Sequence, residues 1–249
     1  MIAMVVALRE EANPILKTGG WVLVPTRTTL EIYKGVATLS EIILGISGTG
    51  RKSAEDTIKV IISEFKPRSI ISMGFAGALQ EGLSPGDIIV IDGTKVLNGS
   101  PFGEKTPAGE TISCNPGLIQ AITSMLKSAG VSYHVGPSLT TTSVICDPQR
   151  KHALGRQTSA EIVEMESGWI SILCHQHGVP FIAIRVILDS VNDSIPSSPR
   201  NFLRLLFSPR QLTTMLKLLP NLRRAQAALG IIGNLLIAEG AGTKSCIDS

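Results

Sequence analysis

Short runs of β-branched and aliphatic residues alternate along the chain with segments whose apolar positions recur at helical spacing, the pattern of strands covered by helices. Ile2 to Leu8, Thr29 to Tyr33, Glu41 to Ile46, Ser69 to Met73, Ile88 to Asp92, Tyr133 to Thr141, Ala160 to Val163 and Pro180 to Leu188 read as strands. Glu10 to Lys17, Arg51 to Phe65, Gly117 to Ala129, Pro148 to Arg156 and Glu166 to His177 read as helices. Gly74-Phe-Ala-Gly77 reads as a turn closing a strand, and Asn98 to Pro116 is rich in loop residues. This alternation predicts an α/β fold, in which ligands bind beyond the carboxyl ends of the strands.

The pattern changes near the end. From Ser194 to Ala238 there is no acidic residue, while Arg200, Arg204, Arg210, Lys217, Arg223 and Arg224 are spread among leucines. Leu212, Met215, Leu219, Leu222, Leu229, Ile232 and Leu236 keep helical spacing, and Pro220 and Gly230 divide the segment into two or three amphipathic pieces. Residues 1–195 therefore form the core, and 196–249 a basic helical extension of the same domain whose tail, from Glu239, frays.

A chain of 249 residues fits one domain, and 43% hydrophobic against 17% charged residues makes it a folded globule. The net charge of +3 is too small for a dedicated nucleic-acid binder. Four scattered cysteines without a CxxC fit a reducing compartment. The apolar start runs straight into Arg9, Glu10 and Glu11 with no basic leader, so we expect a buried first strand and a cytoplasmic protein, at most peripheral to a membrane.

Candidate chemistry narrows the reading. Gly48-Thr-Gly50 is followed by Ser53 where a dinucleotide fingerprint needs glycine; what remains is a tight turn whose N–H groups reverse the chain or hold an anion or a ribose hydroxyl. Cys174-His-Gln-His177 has no second ligand pair, so neither metal nor cofactor is expected. Acids stand at three strand ends: Glu10 and Glu11, Glu164 and Glu166, and Asp189. Each alone is commonly a helix-start carboxylate. Arg185, inside an apolar strand, must face a pocket or a carboxylate, because an unpaired buried guanidinium is too costly.

Val163-Glu-Met-Glu-Ser167 followed by Val179-Pro-Phe-Ile-Ala-Ile-Arg185-Val-Ile-Leu-Asp189 resembles the signature of the nucleoside phosphorylase and nucleosidase superfamily. Ala7-Leu-Arg-Glu-Glu11, Ser47-Gly-Thr-Gly50, Met73-Gly-Phe-Ala-Gly77 and Pro85-Gly-Asp87 resemble, in the same order, motifs of the methylthioadenosine/S-adenosylhomocysteine nucleosidases. The resemblance implies three layers with a mixed central β-sheet flanked by helices, a homodimer, and cleavage of a purine N-glycosidic bond by water or phosphate. It gives Asp189 the role of general acid at the base and Glu11 that of the base that activates water. Glu166 matches the carboxylate on the ribose hydroxyls, Met165 the thioether under the sugar, and Arg185 an arginine near the nucleophile. Leu8, Phe75, Ala76, Gly77, Val144 and Ile145 match residues around the substrate.

Three positions depart from the hydrolase pattern: Phe75 replaces a small hydroxyl residue, Leu188 a serine that supports the acid, and Val144 an aromatic that stacks on the base. Asp189 is expected to be less supported, and adenine preference and the choice of nucleophile stay open. Arg185, Arg51 and the Gly48–Gly50 turn are the candidates for holding phosphate. The basic extension resembles that of the hopanoid-associated branch, which implies a lipid-tailed adenosine and contact with an anionic membrane surface; packing on the chain's own sheet or on a second subunit is the competing reading.

Overall fold

Strands of valine, isoleucine and alanine buried on both faces form where the sequence is apolar without polar alternation, and they define the centre of the computed structural model. It describes residues 1–26, 30–35, 41–97, 109–195 and 209–240. The chain runs β1 (Ile2–Val6), α1 (Arg9–Leu16), β2 (Trp21–Val24), β3 (Glu31–Gly35), β4 (Ile42–Ile46) and α2 (Arg51–Val60), which continues as a π-helical turn, Ile61–Phe65. Next come β5 (Ser69–Ala78), β6 (Ile88–Val96), β7 (Ile112–Ser113), α3 (Pro116–Ser128) and β8 (His134–Thr140). The chain continues through α4 (Pro148–Thr158), β9 (Ile162–Glu164), α5 (Ser167–Gln176), β10 (Phe181–Asp189) and α6 (Pro209–Gly240).

The sheet is mixed. β1 lies parallel to β4 on one side and to β5 on the other, and β5 is also parallel to β10. β10 meets β6 antiparallel, β6 and β8 are parallel, as are β8 and β9, and β9 returns antiparallel to β5. Five strands thus close on one another, while β3 and β2 add an antiparallel edge beyond β4. Alternate residues of β1 show the layering. Ala3 and Val5 meet Ala54 and Ile58 of α2 and Ile170 of α5. Met4 and Val6 join the cluster that holds Ala12 and Ile15 of α1, Ile122 of α3 and Leu229 of α6.

Four expectations need correction. β2 was not foreseen, because Trp21–Val24 is a four-residue edge strand that leaves Val22 and Leu23 exposed. β5 does not turn at Gly74 but runs on to Ala78, pairing with β10 through Gly77. β6 likewise continues past Asp92 to Val96. Residues 196–208 of the extension lie outside the described residues, and the described part, Pro209–Gly240, is one helix rather than two or three pieces, with Pro220 inside it. Packing outweighs the weak helix propensity of glycine at Gly230 and Gly233, whereas Pro220 is exposed. A Cβ on Gly230 would lie 3.3 Å from Pro14, and one on Gly233 2.8 Å from Ile15, so glycine lets α6 lie close on α1. Ala225, Leu229, Ile232 and Leu236 are buried there, so the apolar face of α6 is used by the chain's own core. Thr29, residues 98–108 of the loop-rich stretch, and the tail from 241 lie outside the described residues. Among those described, no helix is long and apolar enough to cross a membrane, and no His, Cys, Asp and Glu cluster could hold a metal ion.

Candidate active site

β1 ends at Val6, and α1 begins three residues later, which brings the third residue of the helix back over the strand end. That residue is Glu11. Its Oε2 accepts hydrogen bonds from the N–H groups of Ala7 at 2.8 Å and Leu8 at 2.9 Å, the return half of a capping box. Its Oε1 accepts from the N–H of Phe75 on β5 at 2.8 Å. Burial pushes the carboxyl above its ordinary range, and the three N–H groups and Arg185 oppose that rise. Gly74 is required for the geometry: a Cβ there would stand 2.7 Å from Glu11 Oε1. We expect Gly74→Ala to displace Glu11 from the Phe75 N–H and to cost about 1–3 kcal/mol, the range for a buried hydrogen bond left unmade, measured as a shift in the urea midpoint.

The same end of the sheet holds a buried ionic network. Arg185 Nη2 donates to Glu164 Oε2 at 3.0 Å, Ser167 Oγ at 2.7 Å and Ser72 Oγ at 3.0 Å, and only 2% of the residue is exposed. Glu164 also accepts from the Thr140 hydroxyl and from the N–H groups of Glu166, at 2.9 Å, and Ser167, at 2.7 Å. It is therefore the structural counterion, which frees Glu166 for other work. Glu166 crosses to the glycine turn, where Oε1 accepts from the N–H of Gly50 at 2.8 Å. The turn holds a carboxylate of the chain itself, not a free anion, and Gly50 has the positive φ, 86°, that this turn needs. Arg51 is engaged as well, stacked over Trp169 and bonded to Glu55 at 2.7 Å.

Glu11, Glu166, Arg185, Phe75, Ser47 and Ser72 line one cleft that encloses about 220 Å³, its open mouth included. Burial, and next the neighbouring Glu164, push the Glu166 carboxyl up to about 8. The folded protein therefore holds a proton on Glu166 that the unfolded chain releases near 4.5. That contribution to stability is complete below about 4.5 and is lost as pH rises through about 8. Thermal midpoints of the wild type should accordingly fall over this window relative to those of Glu166→Gln, in which the decline should be reduced.

Asp189 ends β10 against Gly77 of β5, three residues beyond Gly74, or roughly 10 Å along the strand. A Cβ on Gly77 would lie 3.0 Å from Asp189 Oδ2, so this glycine also serves a carboxylate rather than a turn. Asp189 is 2% exposed and is not among the side chains lining the cleft. Its partner is Lys151 of α4, fully buried, whose ammonium donates to Asp189 Oδ2 and to the carbonyls of Ser190 and Asp193, both at 2.9 Å. Desolvation pushes the Asp189 carboxyl up to about 6 despite Lys151. Where a serine at Leu188 would support Asp189 from its own strand, Lys151 supports it from α4.

The expected residues divide plainly. Glu11, Glu166, Arg185 and Phe75 share the cleft, and Leu8 contributes its N–H to Glu11 while its side chain is 38% exposed. Asp189 and Gly77 adjoin each other one step along β5. Ala76 is buried in the core, Ile145 packs with Leu79, Leu154 and Val163, and Met165 and Val144 are half-buried outside the cleft lining. Lys151, Ser72 and Ser167 were missed, as was the pairing of Glu164 with Arg185. Only Lys151 left a usable signal: it shares the helical stripe of Leu154 and Thr158, the buried face of α4.

The phosphorylase superfamily model matches residues 1–219. A 5′-methylthioadenosine/S-adenosylhomocysteine nucleosidase of Staphylococcus aureus is 28% identical over 211 residues, covering 82% of this chain and 92% of that protein. Among solved structures, futalosine hydrolase of Helicobacter pylori superposes with a TM-score of 0.79 at 20% identity, over 96% of this chain and 97% of its own. A mutant methylthioadenosine/S-adenosylhomocysteine nucleosidase of the same organism, with 5′-methylthioadenosine in its active site, gives 0.77 at 20% identity, over 96% and 98%. The mixed sheet between two helical layers is the fold of these proteins. The chain belongs to the phosphorylase superfamily.

Proposed function

We propose that this protein hydrolyses the N-glycosidic bond of a purine nucleoside, adenine nucleosides among them, that carries a small substituent at the 5′ carbon. The observation that carries this reading is the gathering of three buried carboxyls at one end of the sheet: Glu11, on the Phe75 N–H, and Glu166 line the cleft, and Asp189 lies against Gly77 of the same strand, three residues beyond Gly74. The relatives add support, since the S. aureus protein is a nucleosidase for 5′-thio adenosines.

In the reaction, Asp189 in its acid form gives its proton to N7 of the purine as the C1′–N9 bond breaks and its electron pair leaves with the base. Water adds to C1′ and releases a proton to Glu11, whose raised basicity suits that task. Glu166, whose carboxyl is pushed up to about 8 and so is largely in the acid form near neutrality, both donates to and accepts from the ribose hydroxyls. The Glu11 carboxylate, on the same cleft, favours the cationic character that builds on the sugar in the transition state.

Charge favours water over phosphate as the nucleophile. Among the described residues Arg185 is the cation on the cleft, and Glu164 already neutralises it, so a bound dianion would face the Glu11 carboxyl with no free positive charge beside it. A hydrocarbon tail as large as hopane has less support, because α6 buries its apolar face on α1 and the sheet. The test is release of free base from a panel of plain and 5′-thio purine nucleosides. Wild type should release base, and Glu11→Gln, which keeps the size but not the basicity, should fall by about 10²–10⁴-fold. Binding without release by the wild type would instead mark a nucleoside-binding protein.

A further inference from the structure

We infer that Lys151 is a positioning residue that holds Asp189 by one oxygen and leaves the other as its only contact for the base, so that the site reads N7 and is indifferent to the group at C6. The inference rests on the hydrolase reading above and extends it to which purines are accepted.

The geometry around Lys151 leaves little freedom. An ammonium has three hydrogens, and here they point to Asp189 Oδ2, the Ser190 carbonyl and the Asp193 carbonyl. None is left for a substrate. The residue is fully buried, and α4 lies so close to the end of β5 that a Cβ on Gly155 would collide with the Leu79 carbonyl. The Ser190–Asp193 turn is itself closed by the Ser190 N–H donating to Asp193 Oδ2 at 2.8 Å. The strand end, the turn and the helix therefore fix Asp189 Oδ2 between Lys151 and Gly77. Among the described residues no donor reaches Asp189 Oδ1, so that oxygen has no hydrogen-bond partner within the chain.

The major-groove edge of a purine explains why one oxygen matters. Adenine presents N7 as an acceptor beside a 6-amino donor, whereas guanine and hypoxanthine present N7 beside a 6-oxo acceptor. A carboxyl that reads both groups of adenine needs one oxygen to donate to N7 and the other to accept from the amino group. With Oδ2 held between the ammonium and the Gly77 backbone, a second donor has no approach to it, and Asp189 serves N7 alone. The groups facing this carboxyl are Lys151 from α4, Asp193 from the turn and Cys146 from the segment before α4. Lys151 is the cation among them, so it also keeps the Asp189 carboxyl below where burial alone would put it.

Two readouts test this. In kcat/KM, wild type should favour a 6-amino over the matching 6-oxo nucleoside by less than about tenfold, and its alkaline limb should report Asp189. In Lys151→Met the limb should move to higher pH by about one unit or more, and preference for the 6-amino base should rise by about tenfold or more. Equilibrium binding of free adenine and hypoxanthine should show the same change of ratio, and it decides the matter without turnover. A wild-type preference above about a hundredfold for the 6-amino base, or a ratio and limb unmoved in folded Lys151→Met, would overturn the inference. Lys151→Gln, which retains hydrogen bonds without charge, answers the same question if the methionine variant does not fold. Absence of base release by the wild type, with the binding ratios as expected, would overturn the hydrolase reading and leave the role of Lys151 standing.

Discussion

Asp189→Asn is expected to lower kcat/KM by about 10²–10⁴-fold, because an amide has no proton to give to N7 and the departing base must leave as an anion. Asp189 is 2% exposed and its carboxyl sits against Gly77. The substitution also removes the counterion of a fully buried ammonium. Breaking a buried pair by deleting one charge costs about 3–5 kcal/mol, and the amide oxygen of asparagine, which still accepts from Lys151, should hold the loss to the lower part of that range. Steady-state kinetics and urea unfolding on the same preparation separate the two effects. A folded Asp189→Asn within tenfold of wild type would remove Asp189 from the chemistry.

Arg185→Met should be the most destabilising single change at the site, by about 3–5 kcal/mol. It strands Glu164, a carboxylate buried to 5% exposure, and takes the donor from Ser72 and Ser167 at once. The sign can be checked by a second substitution. Glu164→Gln in the same chain removes the stranded charge, so the double variant should recover part of the stability, and the two changes should be strongly non-additive. If the double variant is no more stable than Arg185→Met alone, Glu164 is not the counterion that matters. Activity should fall in both, because Arg185 shares the cleft with Glu11 and its charge lowers both Glu11 and Glu166.

The strands that carry the site are legible in the chain because they are buried on both sides. Ile2–Val6, Ile42–Ile46 and Phe181–Asp189 read as continuous apolar runs, and Arg185 stands out against them. The course of β5 is not legible. Gly74 and Gly77 look like turn residues, but glycine is there because carboxylates from α1 and β10 occupy the space of a side chain, a tertiary cause with no local trace. The same holds for Glu164 and Glu166: two acids, two residues apart, that differ only in what folds beside them. Lys151 was masked by its type, since lysine on a short helix ordinarily faces water, and only its place on the stripe of Leu154 and Thr158 pointed inward. α6 was hidden by Pro220 and Gly230, whose local preference is to break a helix; at Gly230 that preference is outweighed by the close approach to Pro14, and at Gly233 by that to Ile15.

The central claim is that water, activated at Glu11, displaces a purine protonated from Asp189. It is tested most directly by incubating the protein with 5′-methylthioadenosine in ¹⁸O-labelled water, with and without phosphate, and analysing both products. The account predicts free adenine, ¹⁸O at C1 of the released sugar, and a rate unchanged by phosphate. A sugar 1-phosphate as the product, or no adenine released under either condition, would contradict it.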